Sequence, residues 1–486
     1  MARGFVLAAT HSGAGKTTIT MALLKALKER GLDVQGCKVG PDFIDPQFHQ
    51  AVTGNPSYNL DSCLMGDAGV KEQFRQLLAQ NRHQDSNRRP LSEKVMVVEG
   101  VMGLYDGLGS RKENGSTAWI ARLLNLPVIL IIDGAGMSTS AAAMVKGYRD
   151  YDPQLTIGGV IINRISGEKH YELLRSAIER DTGLPCLGWM KKDQALHLGS
   201  RHLGLVPAAE VDALMQTIQR SSEAAQKTIN IEALLQAAAP LDTDTSAGKH
   251  FRPEEHQPNK TRTFTLGIAR DRAFHFYYPA NLDWLTEQGF KLVEVSPLKD
   301  AALPENLDGL YIGGGFPEIF GEELEANSSF REDLLEKAKG GLPIYAECGG
   351  FQYLCENLTD FDGNTWEMAS VLPGRARMTD RLQRFGYGII ETLPAKGFFT
   401  EKLRISGHEF HRGVVDSEEE NLINVTKMQD PQDMSEARKW SCGLARYNTF
   451  GAFPHVFFQS NPRYIMEWLK KIPEWQPKKI RKEGKE

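Results

Sequence analysis

The feature that most restricts the fold is a glycine-rich loop near the N-terminus, set between an apolar run and a helical pattern. Residues 5–9 are apolar, residues 10–17 read THSGAGKT, and residues 17–30 have helical periodicity, with Gly31 suited to the C′ position. Thr10 replaces the first glycine of the common GxxxxGK[ST] pattern. A strand, a tight loop and a helix in this order indicate a phosphate-binding loop in an open α/β domain.

This loop indicates which residues would bind a nucleotide. Gly13 and Gly15 would let backbone N–H groups approach phosphate oxygens, and Lys16 would neutralise β- and γ-phosphate charge. The hydroxyl of Thr17 is placed for Mg²⁺, and Thr18 completes the predicted cofactor-binding set. The sequence therefore predicts a nucleotide triphosphate site at this loop.

Two acidic segments are candidates to complete the metal site. Residues 40–46 read GPDFIDP and contain Asp42 and Asp45, while Glu99 opens the segment EGVMGLYDG at the end of another apolar run. Carboxylates at the carboxyl ends of parallel strands face the ligand crevice, and Mg²⁺ usually takes one or two of them. We predict Asp45 or Asp42, together with Glu99, as ligands; for any single acid, an exposed turn residue is the alternative.

The remaining pattern divides the chain. Unalternated apolar runs at 95–98, 128–132 and 160–162 are typical of parallel strands covered on both faces, so residues 1–236 are predicted to form the first domain. The stretch 237–263 is polar, bears prolines and lacks apolar periodicity, which indicates a linker.

A second α/β domain is predicted over residues 264–475. Its strands are expected at 264–269, 310–312 and 344–346, where short apolar runs recur. The charged, aperiodic segment 476–486 is interpreted as a solvated tail.

This second domain carries a candidate nucleophile, Cys348. The segment AECGG (346–350) follows a predicted strand, and its small residues would allow a sharp turn that leaves an N–H free for an oxyanion. The segment GGGFPE (313–318) would supply a second donor. Cys355 is interpreted as a buried structural cysteine. His455 is the candidate base, with His408 and His411 as competitors that spacing alone does not exclude.

Bulk composition excludes several classes of protein. A chain of 486 residues with 41% apolar residues predicts two or three globular domains. A net charge of −5 argues against a nucleic-acid or membrane-surface binder. Six scattered cysteines indicate a reducing compartment, and no apolar run approaches the roughly 18 residues of a membrane span, so a cytoplasmic location is expected.

Taken together, the motifs resemble the cobyrinate a,c-diamide synthase family over nearly the whole chain. Its members join a dethiobiotin-synthetase-like ATP domain to a class I glutamine amidotransferase domain, and this is the fold that the resemblance implies: a P-loop NTPase-like parallel sheet followed by an amidotransferase-like α/β domain. The resemblance is carried by six motifs, at 12–17, 40–46, 99–103, 313–318, 346–350 and 407–411.

The resemblance also implies roles for individual residues. Cys348 would attack the side-chain amide of glutamine, forming a thioester and releasing ammonia, with His455 as base. ATP with Mg²⁺ would phosphorylate a peripheral carboxylate of a tetrapyrrole, and ammonia would then displace the phosphate. Asp45 and Asp106 resemble family positions near the substrate carboxylate and are expected to position it.

One departure from the pattern concerns the base. Class I enzymes usually have His-x-Glu near the end of the domain, whereas this chain has His455-Val456-Phe457. Because no polar side chain is present at 457, either another group orients His455 or glutaminase activity is weak.

The sequence leaves the substrate open. The leading hypothesis is amidation of the a and c acetate groups of cobyrinate; the alternatives are sirohaem or nickel-sirohydrochlorin as substrate, or a nucleotide-dependent switch with a vestigial glutaminase domain. The oligomeric state is also open, with a homodimer as one candidate.

Overall fold

The computed structural model describes residues 2–80, 93–192, 208–242, 263–394, 397–430, 433 and 436–474. The chain divides into two compact units, Met1–Ala247 and Gly248–Glu486. The predicted tail lies outside the described residues, as does most of the predicted linker. That linker boundary stays a prediction, although its first residues include a short strand (β8, below).

The first unit is an α/β sheet domain. Its strands are β1 (Ala2–Ala9), β2 (Asp33–Val39), β3 (Tyr58–Leu60), β4 (Lys94–Glu99), β5 (Val128–Asp133), β6 (Ile157–Ile165), β7 (Cys186–Lys191) and β8 (Ala239–Leu241). Its helices are α1 (Lys16–Glu29), α2 (Asp45–Thr53), α3 (Ser62–Ala79), α4 (Thr117–Leu123), α5 (Ser140–Tyr151), α6 (Glu168–Thr182), α7 (Ala208–Thr228) and α8 (Ile231–Ala237).

The strands β1 to β7 are parallel and lie in the order β3-β2-β4-β1-β5-β6-β7, while β8 pairs antiparallel with β1. The apolar runs predicted as strands correspond to β1, β4, β5 and β6. Each strand is longer than its predicted run, by between one residue in β5 and six residues in β6. Their side chains are buried almost throughout, as expected for strands covered on both faces.

The sheet order brings the carboxyl ends of β2, β4 and β1 together. In the register of the sheet, Glu99 at the end of β4 lies beside Leu7 of β1 on one side and Lys38 of β2 on the other. The glycine-rich loop leaves β1 at the same edge and leads into α1. In parallel α/β sheets this edge forms the ligand crevice.

The helix after the loop is held by its apolar face. Ile19, Leu23, Leu24 and Leu27 of α1 are fully buried against the sheet, and α7 packs along the same helix. Each such aliphatic side chain stabilises the fold by about 1.5–3 kcal/mol on burial. The helix ends as predicted, with Gly31 at φ +80° immediately after it.

The second unit has a mostly parallel core sheet and smaller sheets in which most strand pairs are antiparallel. Its strands are β9 (Phe264–Ala269), β10 (Phe274–Phe276), β11 (Phe290–Val295), β12 (Gly309–Ile312), β13 (Gly314–Gly315), β14 (Ile344–Glu347), β15 (Asn357–Thr359), β16 (Thr365–Glu367), β17 (Arg375–Met378), β18 (Arg384–Thr392), β19 (Arg404–His411), β20 (Gly413–Asp416), β21 (Ile423–Lys427), β22 (Lys439–Cys442), β23 (Leu444–Arg446), β24 (Thr449–Ala452) and β25 (His455–Val456). Its helices are α9 (Pro279–Glu287), α10 (Gly321–Ala326), α11 (Ser328–Lys339), α12 (Gly349–Leu354) and α13 (Pro462–Leu469).

The core sheet of this unit has the order β11-β9-β12-β14-β24-β23, in which only β23 runs antiparallel among the described strands. A packed layer of aromatic rings covers one face: Tyr345 lies 5.6 Å from Trp468 and 6.0 Å from Phe458, between ring centroids. α13 contributes Trp468 with a strongly one-sided apolar face. This layer fixes the position of the strand that ends at Glu347 and Cys348.

The two α/β units confirm the predicted fold class. Sequence periodicity did not predict the strands β15 to β22, because six of these eight strands have five residues or fewer and their burial follows no regular apolar pattern. No helix in the part of the chain that the structure describes combines the length and apolar character needed to cross a bilayer.

Candidate active sites

The glycine-rich loop of the first unit has the backbone shape that the sequence predicts. Gly13 and Gly15 have φ of +82° and +94°, conformations that other residues adopt only with strain. Asn163, at the end of β6, donates from Nδ2 to the carbonyl of Ala14 at 2.8 Å. A Cβ atom on Gly15 would lie 2.1 Å from that same nitrogen, so the loop and its supporting amide require glycine there.

Lys16 lies at the first position of α1 and is largely buried. Its ammonium donates to the carbonyl of Met102, in the loop that follows β4. Burial and the neighbouring charge of Lys38 lower the pKa of Lys16 to about 8. A phosphate beside it would relieve both effects, since an adjacent anion favours the charged ammonium.

Glu99 is the centre of a buried polar network. Its Oε1 accepts from the Thr17 hydroxyl at 2.9 Å and from the Lys38 ammonium at 3.3 Å. Its Oε2 lies 2.8 Å from His49 Nε2. Burial alone would raise the pKa of Glu99, but Lys38 and the hydrogen bond from His49 lower it well below its ordinary range. Glu99 is therefore a carboxylate anion next to the predicted metal ligand Thr17.

Lys38 links Glu99 to the second predicted acid. Its ammonium pairs with Asp45 at the start of α2 and donates to the Gly100 carbonyl at 3.0 Å. Burial alone would lower the pKa of Lys38, but the adjacent carboxylates raise it above its ordinary value. Burial and the charge of Glu99 in turn raise the pKa of Asp45. The cluster thus places one ammonium between two carboxylates.

The other predicted residues of the first unit lie nearby in different roles. Asp42 accepts from the backbone N–H of Ile44 at 2.7 Å and lies 3.9 Å from the Lys38 ammonium, so it shapes the start of α2. Asp106 is exposed and accepts from the Gly103 N–H at 2.9 Å. Thr18 is half-buried in the first turn of α1.

Thr17, Asp45 and Glu99 are the predicted metal ligands. Among the described residues, no group of three or more His, Cys, Asp and Glu side chains is arranged to hold a metal ion by itself. Mg²⁺ in nucleotide sites typically keeps one or two protein oxygens and takes the rest from phosphate and water. The hydroxyl of Thr17 and the carboxylate of Glu99 fit that smaller requirement, while Asp45 is engaged by Lys38.

In the second unit, Cys348 lies on a sharp turn between β14 and α12. Its backbone has φ +49° and ψ −108°, an unusual conformation for a residue other than glycine. A Cβ atom on Gly350 would lie 2.3 Å from the Ile312 carbonyl oxygen, so only glycine can bring the turn this close to Ile312. This is the geometry of a nucleophile elbow.

The loop at 313–318 comes close to this elbow, as an oxyanion donor would. A Cβ atom on Gly349 would lie 3.0 Å from the Gly315 nitrogen, and the Gly350 N–H donates to the Gly313 carbonyl at 3.1 Å. Gly314 lies against the imidazole of His455, where a Cβ atom would be 2.6 Å from Cε1. The two glycine-rich segments and the histidine therefore meet around Cys348.

His455 contacts both the nucleophile and an acid. Its imidazole hydrogen-bonds the Cys348 thiol, and its Nδ1 lies 3.0 Å from Glu347 Oε2. Burial alone would lower the pKa of His455, but the hydrogen bonds to Cys348 and Glu347 raise it to about 10. An imidazolium at neutral pH favours a thiolate on its partner, which is the reactive form of cysteine.

The competing histidines are placed differently. His408 lies opposite His455 in the β19–β25 pairing, and burial followed by the charge of His455 lowers its pKa to about 3. His411 stacks on the ring of Phe453, with centroids 3.9 Å apart, and hydrogen-bonds the Gly413 carbonyl through Nδ1. The structure therefore brings His455 to Cys348. Cys355 is fully buried.

Four residues that take part in these sites were not predicted from the sequence: Lys38, His49, Asn163 and Glu347. His49 lies four residues after Asp45, a spacing that places both on one face of α2 and could have revealed it. Glu347 directly precedes the nucleophile, but nothing local indicates that its carboxylate turns toward His455. The Asn163 contact joins distant segments and has no sequence signal.

Comparisons with known proteins agree with this division into two sites. A sequence model of the CobQ/CobB/MinD/ParA nucleotide binding domain matches residues 5–206. A second, of the CobB/CobQ-like glutamine amidotransferase domain, matches residues 265–463. The first unit is thus a nucleotide-binding domain and the second an amidotransferase domain.

Several curated relatives match along almost their entire length, and each is called cobyrinate a,c-diamide synthase. The relative from Streptococcus sanguinis is 42% identical over 97% of this chain and 99% of its own. Those from Listeria innocua and Salmonella typhimurium are 41% and 38% identical, over 95% and 96% of this chain and 98% and 97% of theirs. The resemblance predicted from the motifs is confirmed, and the chain belongs to the cobyrinate a,c-diamide synthase family.

Proposed function

We propose that the protein uses ATP and glutamine to amidate the a and c acetate carboxylates of cobyrinate, a step of cobalamin biosynthesis. The observation that carries the proposal is the pairing of two built sites on one chain. One is the buried Cys348–His455–Glu347 set behind a nucleophile elbow, and the other is the phosphate loop beside Glu99 and Lys38. The names of the full-length relatives support the choice of substrate.

At the second site, the chemistry is the release of ammonia from glutamine. The Cys348 thiolate attacks the side-chain amide carbon, and backbone N–H groups of the segments 313–318 and 346–350, which come close together, are our candidates to bind the oxygen that gains charge. His455, as imidazolium, gives its proton to the amide nitrogen, which then leaves as ammonia. Water then hydrolyses the thioester, so that glutamate leaves and the thiolate is restored.

At the first site, the acceptor carboxylate must be activated. Ammonia cannot displace oxide from a carboxylate, whereas it displaces phosphate readily from an acyl phosphate. Gly13, Gly15 and Lys16 bind and orient the triphosphate of ATP, with Thr18 in the same helical turn. Lys38 donates to Asp45, Glu99 and the Gly100 carbonyl, and so fixes both carboxylates at the edge of this site. Asp45 at this edge is one candidate for positioning the acceptor carboxylate. Asp106 remains the other candidate.

Mg²⁺ fits this site because Thr17 and Glu99 present two hard oxygen atoms 2.9 Å apart at the phosphate loop. When bound, the ion would neutralise charge on the phosphate oxygens. The scattered positions of the six cysteines, typical of a reducing compartment, support a cytoplasmic location. The oligomeric state stays a prediction.

The test is to follow an isotope and a substrate panel together. Cobyrinate labelled with ¹⁸O in its carboxylates is incubated with the enzyme, ATP, Mg²⁺ and glutamine. We expect one ¹⁸O atom in inorganic phosphate for each amide formed, because the acyl phosphate breaks between carbon and the labelled oxygen. Unlabelled phosphate would exclude the phosphorylated intermediate. Amidation of sirohaem or nickel-sirohydrochlorin, but not of cobyrinate, would overturn the substrate assignment.

A further inference from the structure

We propose that Glu347 is the positioning carboxylate of the amidotransferase site, holding His455 in the orientation and protonation state that Cys348 requires. The inference rests on the proposed glutamine hydrolysis and adds to it a residue for which the motif pattern has no place. In His-x-Glu enzymes the acid follows the histidine by two positions, where this chain has Phe457. That phenylalanine is buried and packs edge-on against the ring of Tyr278, with centroids 6.5 Å apart.

The geometry determines which imidazole nitrogen of His455 faces Glu347 and which faces Cys348. Glu347 Oε2 lies 3.0 Å from Nδ1 of His455, and an ionised carboxylate accepts only, so Nδ1 carries a proton. Nε2 is left for the Cys348 thiol, with which the imidazole is also hydrogen-bonded. A carboxylate on the remote nitrogen both selects this tautomer and stabilises the imidazolium form.

The carboxylate itself is held from all sides. Its side chain is 2% exposed; Oε2 also accepts from the Tyr311 hydroxyl at 3.1 Å, and Oε1 accepts from the Tyr345 hydroxyl at 3.1 Å. The backbone N–H of Val456, next to the histidine, lies 3.5 Å from Oε1. Burial of a carboxylate is costly unless it is hydrogen-bonded and paired, and this one has both compensations. The arrangement therefore places a fixed negative charge at Nδ1.

A neighbouring histidine and four tyrosines are neutral near pH 7, so they do not neutralise the charge of Glu347. Cys348 and Glu347 reach His455 from β14, and His408 from β19 is kept neutral because burial and the charge of His455 lower its pKa to about 3. Four tyrosines interact with the carboxylate, and burial raises the pKa of each, so all are neutral near pH 7: Tyr277, Tyr311, Tyr345 and Tyr464.

The elbow explains how adjacent residues can both reach one imidazole. Successive side chains of a strand point to opposite faces. At the end of β14 the strained backbone of Cys348, with φ +49°, turns the chain, and Cys348 and Glu347 then both hydrogen-bond His455. In this protein the acid thus immediately precedes the nucleophile in the chain.

The experiment compares Glu347→Gln with the wild-type enzyme in the presence of ATP and cobyrinate, measuring glutamate release and amide formation. We expect the kcat for glutamate release to fall by about 10²- to 10⁴-fold, since the neutral amide no longer favours the imidazolium. The high-pH limb of the glutaminase profile should move to lower pH. Amidation with ammonium chloride in place of glutamine should match the wild type.

Controls separate a positioning role from a structural one. Glu467→Gln alters an equally buried glutamate of α13, hydrogen-bonded to Thr400 and Lys470, and should leave glutamine kinetics and the pH limb unchanged. Glu347→Asp keeps the negative charge but moves it away from Nδ1. Its kcat for glutamate release should fall about tenfold, and the high-pH limb of its glutaminase profile should move to lower pH. Loss of ammonium-dependent amidation in Glu347→Gln would indicate that this variant does not fold. In that case Glu347→Asp tests the role of Glu347.

The outcomes are distinct. The assignment of Glu347 would be overturned if Glu347→Gln kept both the wild-type kcat for glutamate release and the wild-type high-pH limb. Where Glu347→Gln does not fold, the same result in Glu347→Asp would overturn it. A wild-type enzyme that releases no glutamate from glutamine would instead overturn the proposed function itself.

Discussion

The imidazole of His49 lies 2.8 Å from the fully buried carboxylate of Glu99, whose other oxygen accepts from Thr17 and Lys38. Three hydrogen-bond donors from three segments of the chain therefore converge on one carboxylate at the phosphate loop. Such an arrangement holds the buried anion in place. Glu99 in turn positions the Thr17 hydroxyl, which donates to it.

Removing the charge of Glu99 should impair the first site alone. In Glu99→Gln, the buried Lys38 loses one of its two close anionic partners, and the Thr17 hydroxyl loses its ionised acceptor. We expect amidation to fall at least ~100-fold with either glutamine or ammonium as nitrogen source. Glutamate release without acceptor should persist. Glu93→Gln, which removes a half-buried pair with Arg3, is the control and should behave as wild type.

Support of the phosphate loop by Asn163 should appear in nucleotide affinity. Asn163→Ala removes one hydrogen bond to the Ala14 carbonyl, worth about 0.5–1.5 kcal/mol, so the Kd for ATP should rise ~2- to 10-fold. Isothermal titration calorimetry measures this directly. Gln226→Ala, an exposed amide substitution on α7, should leave the Kd unchanged. Equal affinities in both variants would show that Asn163 does not support the loop.

A single methyl group at position 314 should disable glutamine use. In Gly314→Ala the new Cβ would lie 2.6 Å from His455 Cε1, and displacement of the imidazole by even 1 Å costs roughly 100-fold in rate. Glutamine-dependent amidation should fall by at least that factor, with ammonium-dependent amidation retained. Gly147→Ala meets no atom within 4 Å and serves as the control. Full glutamine activity in Gly314→Ala would contradict the close packing of His455 on this glycine.

The pH dependence of two reactions at Cys348 should diverge. The pKa of His455 is raised to about 10, so the imidazolium persists from neutral pH upward and is lost as pH rises through that value. Glutamine hydrolysis needs that proton for the departing ammonia and should decline above about pH 10. Alkylation of Cys348 by iodoacetamide needs only the thiolate and should not decline across the same range. A parallel decline of both, in brief pH-jump measurements on folded protein, would argue against the ion pair.

Sequence reasoning located the features that depend on local pattern. The loop at 10–17 and the segment at 346–350 are recognisable because each carries glycines where the backbone must take positive φ or pass close to another segment. Glu99 was recognised because it ends a buried strand. These predictions follow from short-range stereochemistry.

The contacts that complete the sites join distant segments of the chain and could not be predicted from local sequence pattern. His455 meets Glu347 only because β14 and β24 lie side by side with Glu347 beside Ala452, which brings the following turn back over the carboxylate. Lys38 comes between Asp45 and Glu99 because β2 neighbours β4 in a particular register. Strand order and register are properties of the whole sheet, so pattern reading did not predict that Glu347 would take the place left by Phe457.

In the proposed reaction one site releases ammonia and the other consumes it, and an assay with two nitrogen sources separates the two roles. Amidation of cobyrinate is assayed with glutamine and, separately, with ammonium chloride in Cys348→Ala and in Lys16→Ala. Cys348→Ala should lose glutamine-dependent amidation and keep the ammonium-dependent reaction, while Lys16→Ala should lose both. Retention of glutamine-dependent amidation by Cys348→Ala, or loss of the ammonium-dependent reaction in the same folded variant, would contradict the account.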